Sequence, residues 1–187
     1  MVWTNDLGYR ESLALDGKKH SEIIHWIRKT SLKAKQNRVY EYKLHFDLPY
    51  ESISSDFVFQ KPSKEEILGL IQKRNLVQQA LEKVLDKNIA IRIWPHHFDT
   101  GGYATRSVEP DFGVGWGMAI PDRVADSMYF YISYYKDGKS YLPDDLPALS
   151  LGDWHRDGFT GAVLPFRDSD EDGFAFFKQV HDRIMSH

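Results

Sequence analysis

The way hydrophobic periodicity changes along the chain predicts an α+β fold: a mostly antiparallel β-sheet with about three helices packed on it. Two observations carry this. Three segments repeat their apolar residues at helical spacing, near residues 18–33, 63–85 and 171–185. Between the last two, four segments read as strands with no helix among them, and parallel neighbours would need a helical crossover between each pair. At 187 residues the chain is the length of a single domain, 1–187.

The elements follow in order. Ile23, Ile24 and Ile27 form one apolar stripe on a helix over Lys18–Lys33, and Arg28, Lys29 and Lys33 suit the negative end of its dipole. Arg38–Leu48 alternates strictly, with Tyr40, Tyr42, Leu44, Phe46 and Leu48 on one face of a strand. Phe57-Val58-Phe59 is a short second strand. Ser63-Lys64-Glu65-Glu66 is a capping box that opens a helix with Leu70, Val77, Leu81 and Val84 on its inner side. Ile89, Ile91 and Ile93 then switch to period two, in a strand ending at Pro95.

Two further strands read as Phe112–Ile120 and Met128–Tyr135. The second is apolar on both faces, which places it centrally in its sheet. Asp137-Gly138 turns the chain and a Pro-containing loop, Leu142–Ser150, follows. Phe159–Phe166 is a last strand, and Phe174, Phe177, Val180, His181 and Ile184 line a closing helix.

Composition narrows the function classes. Lys plus Arg is 24 and Asp plus Glu is 27, a net charge of −3. That leaves no basic surplus to neutralise phosphates, so no nucleic acid is expected as a partner. The chain has no cysteine, which excludes disulfides, thiolate nucleophiles and Cys-type metal sites. No signal-peptide pattern opens it, and no run nears the ~18 apolar residues of a membrane span. The expectation is a soluble, cytoplasmic chain without a membrane partner. Its 26 aromatic residues (5 Trp, 10 Tyr, 11 Phe) are a large apolar payload for this size.

Polar groups gather on aromatic backgrounds at two places. One is Trp94-Pro95-His96-His97-Phe98-Asp99-Thr100-Gly101-Gly102, where a strand ends; the other is Trp154-His155-Arg156-Asp157-Gly158-Phe159-Thr160-Gly161. If the two meet, Trp94, Phe98 and Trp154 wall a pocket for a small polar or aromatic ligand. His96, His97, Asp99, His155 and Asp157 then supply its polar contacts.

A sharper alternative is metal-dependent catalysis. His97-x-Asp99, a distant His155 and Arg167-x-Ser169 resemble the H-x-D … H … R-x-S pattern of iron(II)- and 2-oxoglutarate-dependent oxygenases. Such a triad of His97, Asp99 and His155 would hold a divalent metal with open coordination positions, beside an Arg that clamps a carboxylate. The chain is short for the fold of those enzymes. A third reading is a non-catalytic protein-interaction module presenting exposed Tyr and Trp. The plainest reading has the imidazoles and carboxylates pinning loops, with Asp99 and Asp157-Gly158 as turn formers.

Other motifs are weaker. Asp168-x-Asp170-x-Asp172-Gly173 starts like a calcium loop, but the twelfth position is Gln179 rather than Glu, and acidic residues suit a helix start. Gly113-Val114-Gly115-Trp116-Gly117 lacks the spacing of a nucleotide loop. Alternating glycine in a strand rather lets a large side chain lie close to the backbone. No G-x-S-x-G is present, so no serine stands out as a nucleophile.

The ordered set Trp94–Asp99, Tyr129-Phe130-Tyr131 and Gly161-Ala162-Val163-Leu164-Pro165-Phe166 before a helix resembles an uncharacterised bacterial domain-of-unknown-function family. Members of that family carry W-x-x-x-F-D, a Tyr-rich strand and an L-P-aromatic motif. His25-Trp26-Ile27 through Leu44 is similar to its opening helix and strand. The resemblance spans about two thirds of the chain in pieces and departs in the middle, where this chain is shorter and carries the helix Ser63–Leu85. It implies a shared fold and a shared pocket, and it implies no activity.

Overall fold

A computed structural model describes residues 1–34, 53–95, 97–105 and 111–185. The expected strand Arg38–Leu48 and the ligand candidate His96 lie outside the described residues. The described chain is α+β, with three helices, a seven-stranded antiparallel sheet and a separate two-stranded sheet. It divides into two compact units, Met1–Ile67 and Leu68–His187.

In the first unit, β1 (Val2–Thr4) and β2 (Arg10–Ser12) form an antiparallel hairpin, which the sequence reading missed. Its turn is held by the Asn5 side chain, which accepts from the Leu7 and Tyr9 amides at 3.0 and 2.9 Å. Helix α1 (His20–Lys33) buries Ile23 and Ile27, two of the three stripe residues. Phe57–Phe59 is not a full strand. It contributes one isolated bridge, Lys19 to Val58, with the Phe59 amide donating to the Lys18 carbonyl at 2.8 Å.

Helix α2 (Lys64–Val84) opens on the expected capping box: the Glu66 amide donates to Ser63 Oγ at 3.1 Å, and the Ser63 amide to Glu66 Oε2 at 2.7 Å. That bond from Ser63 holds the Glu66 carboxyl below its usual range. Val77 and Leu81 are fully buried, as their spacing demanded, whereas Leu70 is exposed along with Ile67, Leu68 and Ile71.

The second unit is organised by its sheet, in the order β3-β4-β5-β6-β9-β8, with β7 on β6. The strands are β3 (Arg92–Ile93), β4 (Thr100–Thr105), β5 (Phe112–Ala119), β6 (Tyr129–Lys136), β7 (Lys139–Ser140), β8 (Asp153–His155) and β9 (Gly161–Pro165). As its two apolar faces implied, β6 is central, paired with β5 along its whole length and with β9 beyond.

Side chains alternate between faces, so register assigns each face. Phe112, Val114, Trp116 and Met118 of β5 share one face with Phe130, Ile132 and Tyr134 of β6 and with Ala162 and Leu164 of β9. These residues form one core with Val77, Ala80 and Leu81 of α2 and with Phe176, Phe177, Val180 and Ile184 of α3 (Asp170–Met185).

The opposite face is different. It carries Gly101 and Tyr103 of β4, Gly113, Gly115 and Gly117 of β5, and Tyr129, Tyr131, Ser133 and Tyr135 of β6. No helix of the core cluster packs there. It is this tyrosine–glycine face that holds the candidate site.

Candidate functional site

The Trp94–Gly102 segment is the β3–β4 hairpin and the start of β4. Thr100-Gly101-Gly102, read as a turn, is strand: Gly101 pairs with Arg92 on one side and Gly117 on the other. The turn proper is tighter. The Trp94 amide donates to the Asp99 carbonyl at 2.8 Å, the Phe98 amide to the Trp94 carbonyl at 2.7 Å, and Phe98 adopts φ 58°. His97 lies in this turn, half-buried, and not on a strand beside Asp99. The Trp94 indole donates to the Gly101 carbonyl at 3.2 Å, so it braces the hairpin.

The second segment is elsewhere. Trp154 and His155 are strand β8, not loop, and β8 is the far edge of the sheet. Strands β5, β6 and β9 stand between β4 and β8. Four strand spacings separate them, about 19 Å along the sheet. Trp154 faces the helices and joins the core, its indole donating to the Pro147 carbonyl at 2.9 Å. Asp157 is exposed in the turn made by Gly158 at φ 72°.

Trp94, His97 and Asp99 therefore do not share one pocket with Trp154, His155 and Asp157. The sequence showed two similar clusters, but not the strand order that parts them. The same order separates His97 and Asp99 from His155, and no group of three His, Asp or Glu among the described residues is placed to hold a metal ion. Arg167 and Ser169 instead serve the start of α3. Ser169 Oγ accepts from the Asp172 amide at 3.2 Å, and Arg167 lies 3.9 Å from the Asp172 carboxylate. Asp170 pairs with Lys83 at 2.6 Å, consistent with the helix-start reading of the acidic run.

Asp99 and His155 each reach the tyrosine face from their own edges. Asp99 is 9% exposed and accepts a hydrogen bond from the Tyr131 hydroxyl. Burial, the Asp99 charge and that bond together push the Tyr131 phenol well above its ordinary range. Arg74 of α2 stands close enough to Asp99 to feel its charge. It donates to the Phe98 carbonyl at 2.8 Å and to Thr100 Oγ1, locking the hairpin onto the helix.

Between these edges the glycines set the surface. A Cβ at Gly113 would land on the Tyr103 hydroxyl, 2.7 Å from its Cζ, and one at Gly117 would meet Tyr131 Cζ at 2.9 Å. The two tyrosine rings lie across the bare backbone of β5, as alternating glycine in a strand permits. A Cβ at Gly115 would stand 2.9 Å from Ser133 Oγ and 3.9 Å from Tyr103 Cδ2. Ser133 pairs across the sheet with Gly115 on one side and Gly161 on the other; Gly115 leaves a side-chain-free notch beside it, while the Phe159 ring covers Gly161, its Cε1 2.9 Å from where a Cβ would stand.

Aromatic rings border that notch. Tyr103 is 47% exposed and lies 6.1 Å from Tyr135; Phe159 lies 6.0 Å from Tyr131. His155, half-buried, pairs with Gly161 and so faces the same way one strand beyond it. Ser133 is 4% exposed.

Sequence reasoning found Asp99 and His155 but missed Arg74, Tyr103, Tyr131, Ser133 and Tyr135. A signal was present: three glycines at period two in one strand, and Tyr129, Tyr131 and Tyr135 at period two in the next. Of four open depressions on the described surface, in the range 400–540 Å³, none is lined by either Trp-His segment. No family model, curated protein or solved structure matches this chain.

Proposed function

We propose that this chain binds a small polar or aromatic ligand on the tyrosine–glycine face of the seven-stranded sheet. One observation carries the reading: the Tyr103 ring is 47% exposed yet seated over the side-chain-free backbone of β5 at Gly113, beside the buried Ser133. The Tyr103 ring, seated against Gly113 and half exposed, offers a stacking surface already held in place, so little ordering entropy is lost on binding. Asp99, Tyr131 and Arg74 form the polar end of the face and hold the β3–β4 hairpin against it. His155 supplies a polar group on the far side of Gly161.

The test is amide chemical-shift mapping with three probes: p-cresol, imidazole and methyl β-D-glucopyranoside. Perturbations centred on Tyr103, Gly115 and Ser133 are expected from at least one of them. Perturbations that centre on another surface, or none from any probe, refute the proposal.

A further inference from the structure

We infer that the first unit carries a binding site of its own, for a phosphate monoester with an apolar body, in the depression between α1 and residues 53–57. The depression has a volume of about 540 Å³, within the range of small-ligand pockets, and is open to solvent on one side. It uses different residues from the tyrosine–glycine face, so either reading can fail alone.

Helix periodicity builds one wall. Ser21, Ile24, His25 and Arg28 stand at i, i+3, i+4 and i+7 of α1, on a face turned away from the buried Ile23 and Ile27. The other wall carries Ile53 and Ser55 and is tied to the helix start. There the His20 amide donates to the Phe57 carbonyl at 2.8 Å and the Ser21 amide to the Ser55 carbonyl at 3.0 Å. Those bonds set the width of the depression before any ligand arrives. The next two amides, of Glu22 and Ile23, donate to the Lys19 carbonyl. The backbone donors of the first turn are therefore spent, and recognition falls to side chains.

Charge decides the head of the ligand. Lys18, Lys19 and Lys33 pair with Glu22, Asp56 and Glu11 at 3.2, 3.0 and 3.0 Å. Arg28 takes part in none of these pairs, and no residue lining the depression is acidic. Glu22 borders the neighbouring depression, where the Lys19 amide and Lys18 Nζ hold its carboxylate. A guanidinium in an acid-free depression attracts an anion and presents it with a fork of N–H donors.

The donor set favours phosphate over carboxylate. Beside Arg28 stand the His25 imidazole and the hydroxyls of Ser21 and Ser55, each able to donate. A carboxylate offers two oxygens to such a set, whereas a phosphate monoester offers three terminal ones. Ile24 and Ile53 supply the apolar part of the lining. Ile53 is 48% exposed, so an organic body laid over it removes apolar surface from water.

The experiment is an amide chemical-shift titration of the full chain with phenyl phosphate, compared with inorganic phosphate, phenylacetate and benzyl alcohol. Saturable shifts at Ser21, His25 and Ser55 are expected from phenyl phosphate, at lower concentration than from the other three. Arg28→Gln should weaken binding about ten- to a hundredfold, the loss of a hydrogen bond to a charged group. Lys29→Gln, exposed and outside the depression, should change it by less than about twofold, because solvent and salt screen a charge that does not touch the ligand. Arg28 is also exposed, so neither change disturbs the core, and circular dichroism checks this.

Tighter binding of phenylacetate overturns the phosphate class. Inorganic phosphate binding as tightly as phenyl phosphate overturns the apolar seat, and benzyl alcohol doing so overturns the role of the anion. Equal losses in Arg28→Gln and Lys29→Gln mean attraction by general charge without a site and overturn the proposal. Shifts centred elsewhere, or no saturable shift, do the same.

Discussion

Gly101 and Gly113 lie on the same face of the sheet, yet alanine at each meets a different obstacle. At Gly101 the new Cβ falls on the Trp116 carbonyl oxygen and 3.2 Å from Gly117 Cα. Both are backbone of the central ladder, so β4 and β5 must part; forced overpacking of this sort costs roughly 1–3 kcal/mol. At Gly113 the new Cβ meets only Tyr103, a side chain that can swing away.

The cost at Gly113 is then the burial that the ring gives up. A tyrosine can bury about 150–250 Å², and Tyr103 is 47% exposed. Roughly 100 Å² is at stake, at most about 2.5 kcal/mol at ~25 cal/mol/Å². Alanine for glycine returns about 0.4–1 kcal/mol by restricting the unfolded chain. Gly113→Ala should therefore cost about 1–2 kcal/mol in the native background. In Tyr103→Ala the obstacle is gone, and the same substitution should stabilise by about 0.5 kcal/mol. Urea unfolding of the four proteins in this cycle, with Gly101→Ala as a fifth, measures the coupling. A Gly113→Ala effect that is equal in both backgrounds, within about 0.3 kcal/mol, refutes the claim that the glycine strip exists to seat the tyrosine.

Other consequences are equally concrete. Arg74→Ala removes the bonds to Phe98 and Thr100; it should destabilise by about 1–2 kcal/mol and speed hydrogen exchange at the Trp94 and Phe98 amides, with unchanged exchange counting against the locking role. Because the Tyr131 phenol is raised by burial, by the Asp99 charge and by their hydrogen bond, its contribution is complete below the unfolded value near pH 10 and is lost as pH climbs past it. Stability should fall above about pH 10. The total fall should be smaller in Asp99→Asn, which keeps burial but removes the charge and so lets the folded phenol ionise at lower pH; an unaltered total argues against the pairing. Ser63→Ala should cost about 1 kcal/mol and fray the start of α2 in circular dichroism, whereas no change would mean that the capping box is idle.

Legibility followed the range of the interactions. Local signals held: the capping box at Ser63, the paired apolar residues of α1, and the two-faced apolar run of β6 are short-range patterns, and each produced its element. Strands β4 and β8 were hidden for opposite reasons. Thr100-Gly101-Gly102 carries turn residues, and only pairing on both sides with Arg92 and Gly117 makes it strand. Trp154-His155 is too short for alternation to register.

The site was misjudged because likeness between two segments was taken as nearness. Trp-His pairs at both edges of a sheet look alike in sequence, while the order β4-β5-β6-β9-β8 keeps them apart. The residues that border the notch come together only through register. Ser133 is unremarkable until Gly115 and Gly161 are found on either side of it.

Occupancy of the tyrosine face is tested most directly by ¹⁹F NMR of the chain labelled with 3-fluorotyrosine and titrated with p-cresol, imidazole and methyl β-D-glucopyranoside. The chain has 10 tyrosines, assigned by single Tyr→Phe changes. Saturable shifts at Tyr103 and Tyr135, with Tyr134 in the core and Tyr9 in the first unit unmoved, are the predicted result. A Tyr103 resonance that stays fixed while ligand binds elsewhere, or that stays fixed with every probe, contradicts the account.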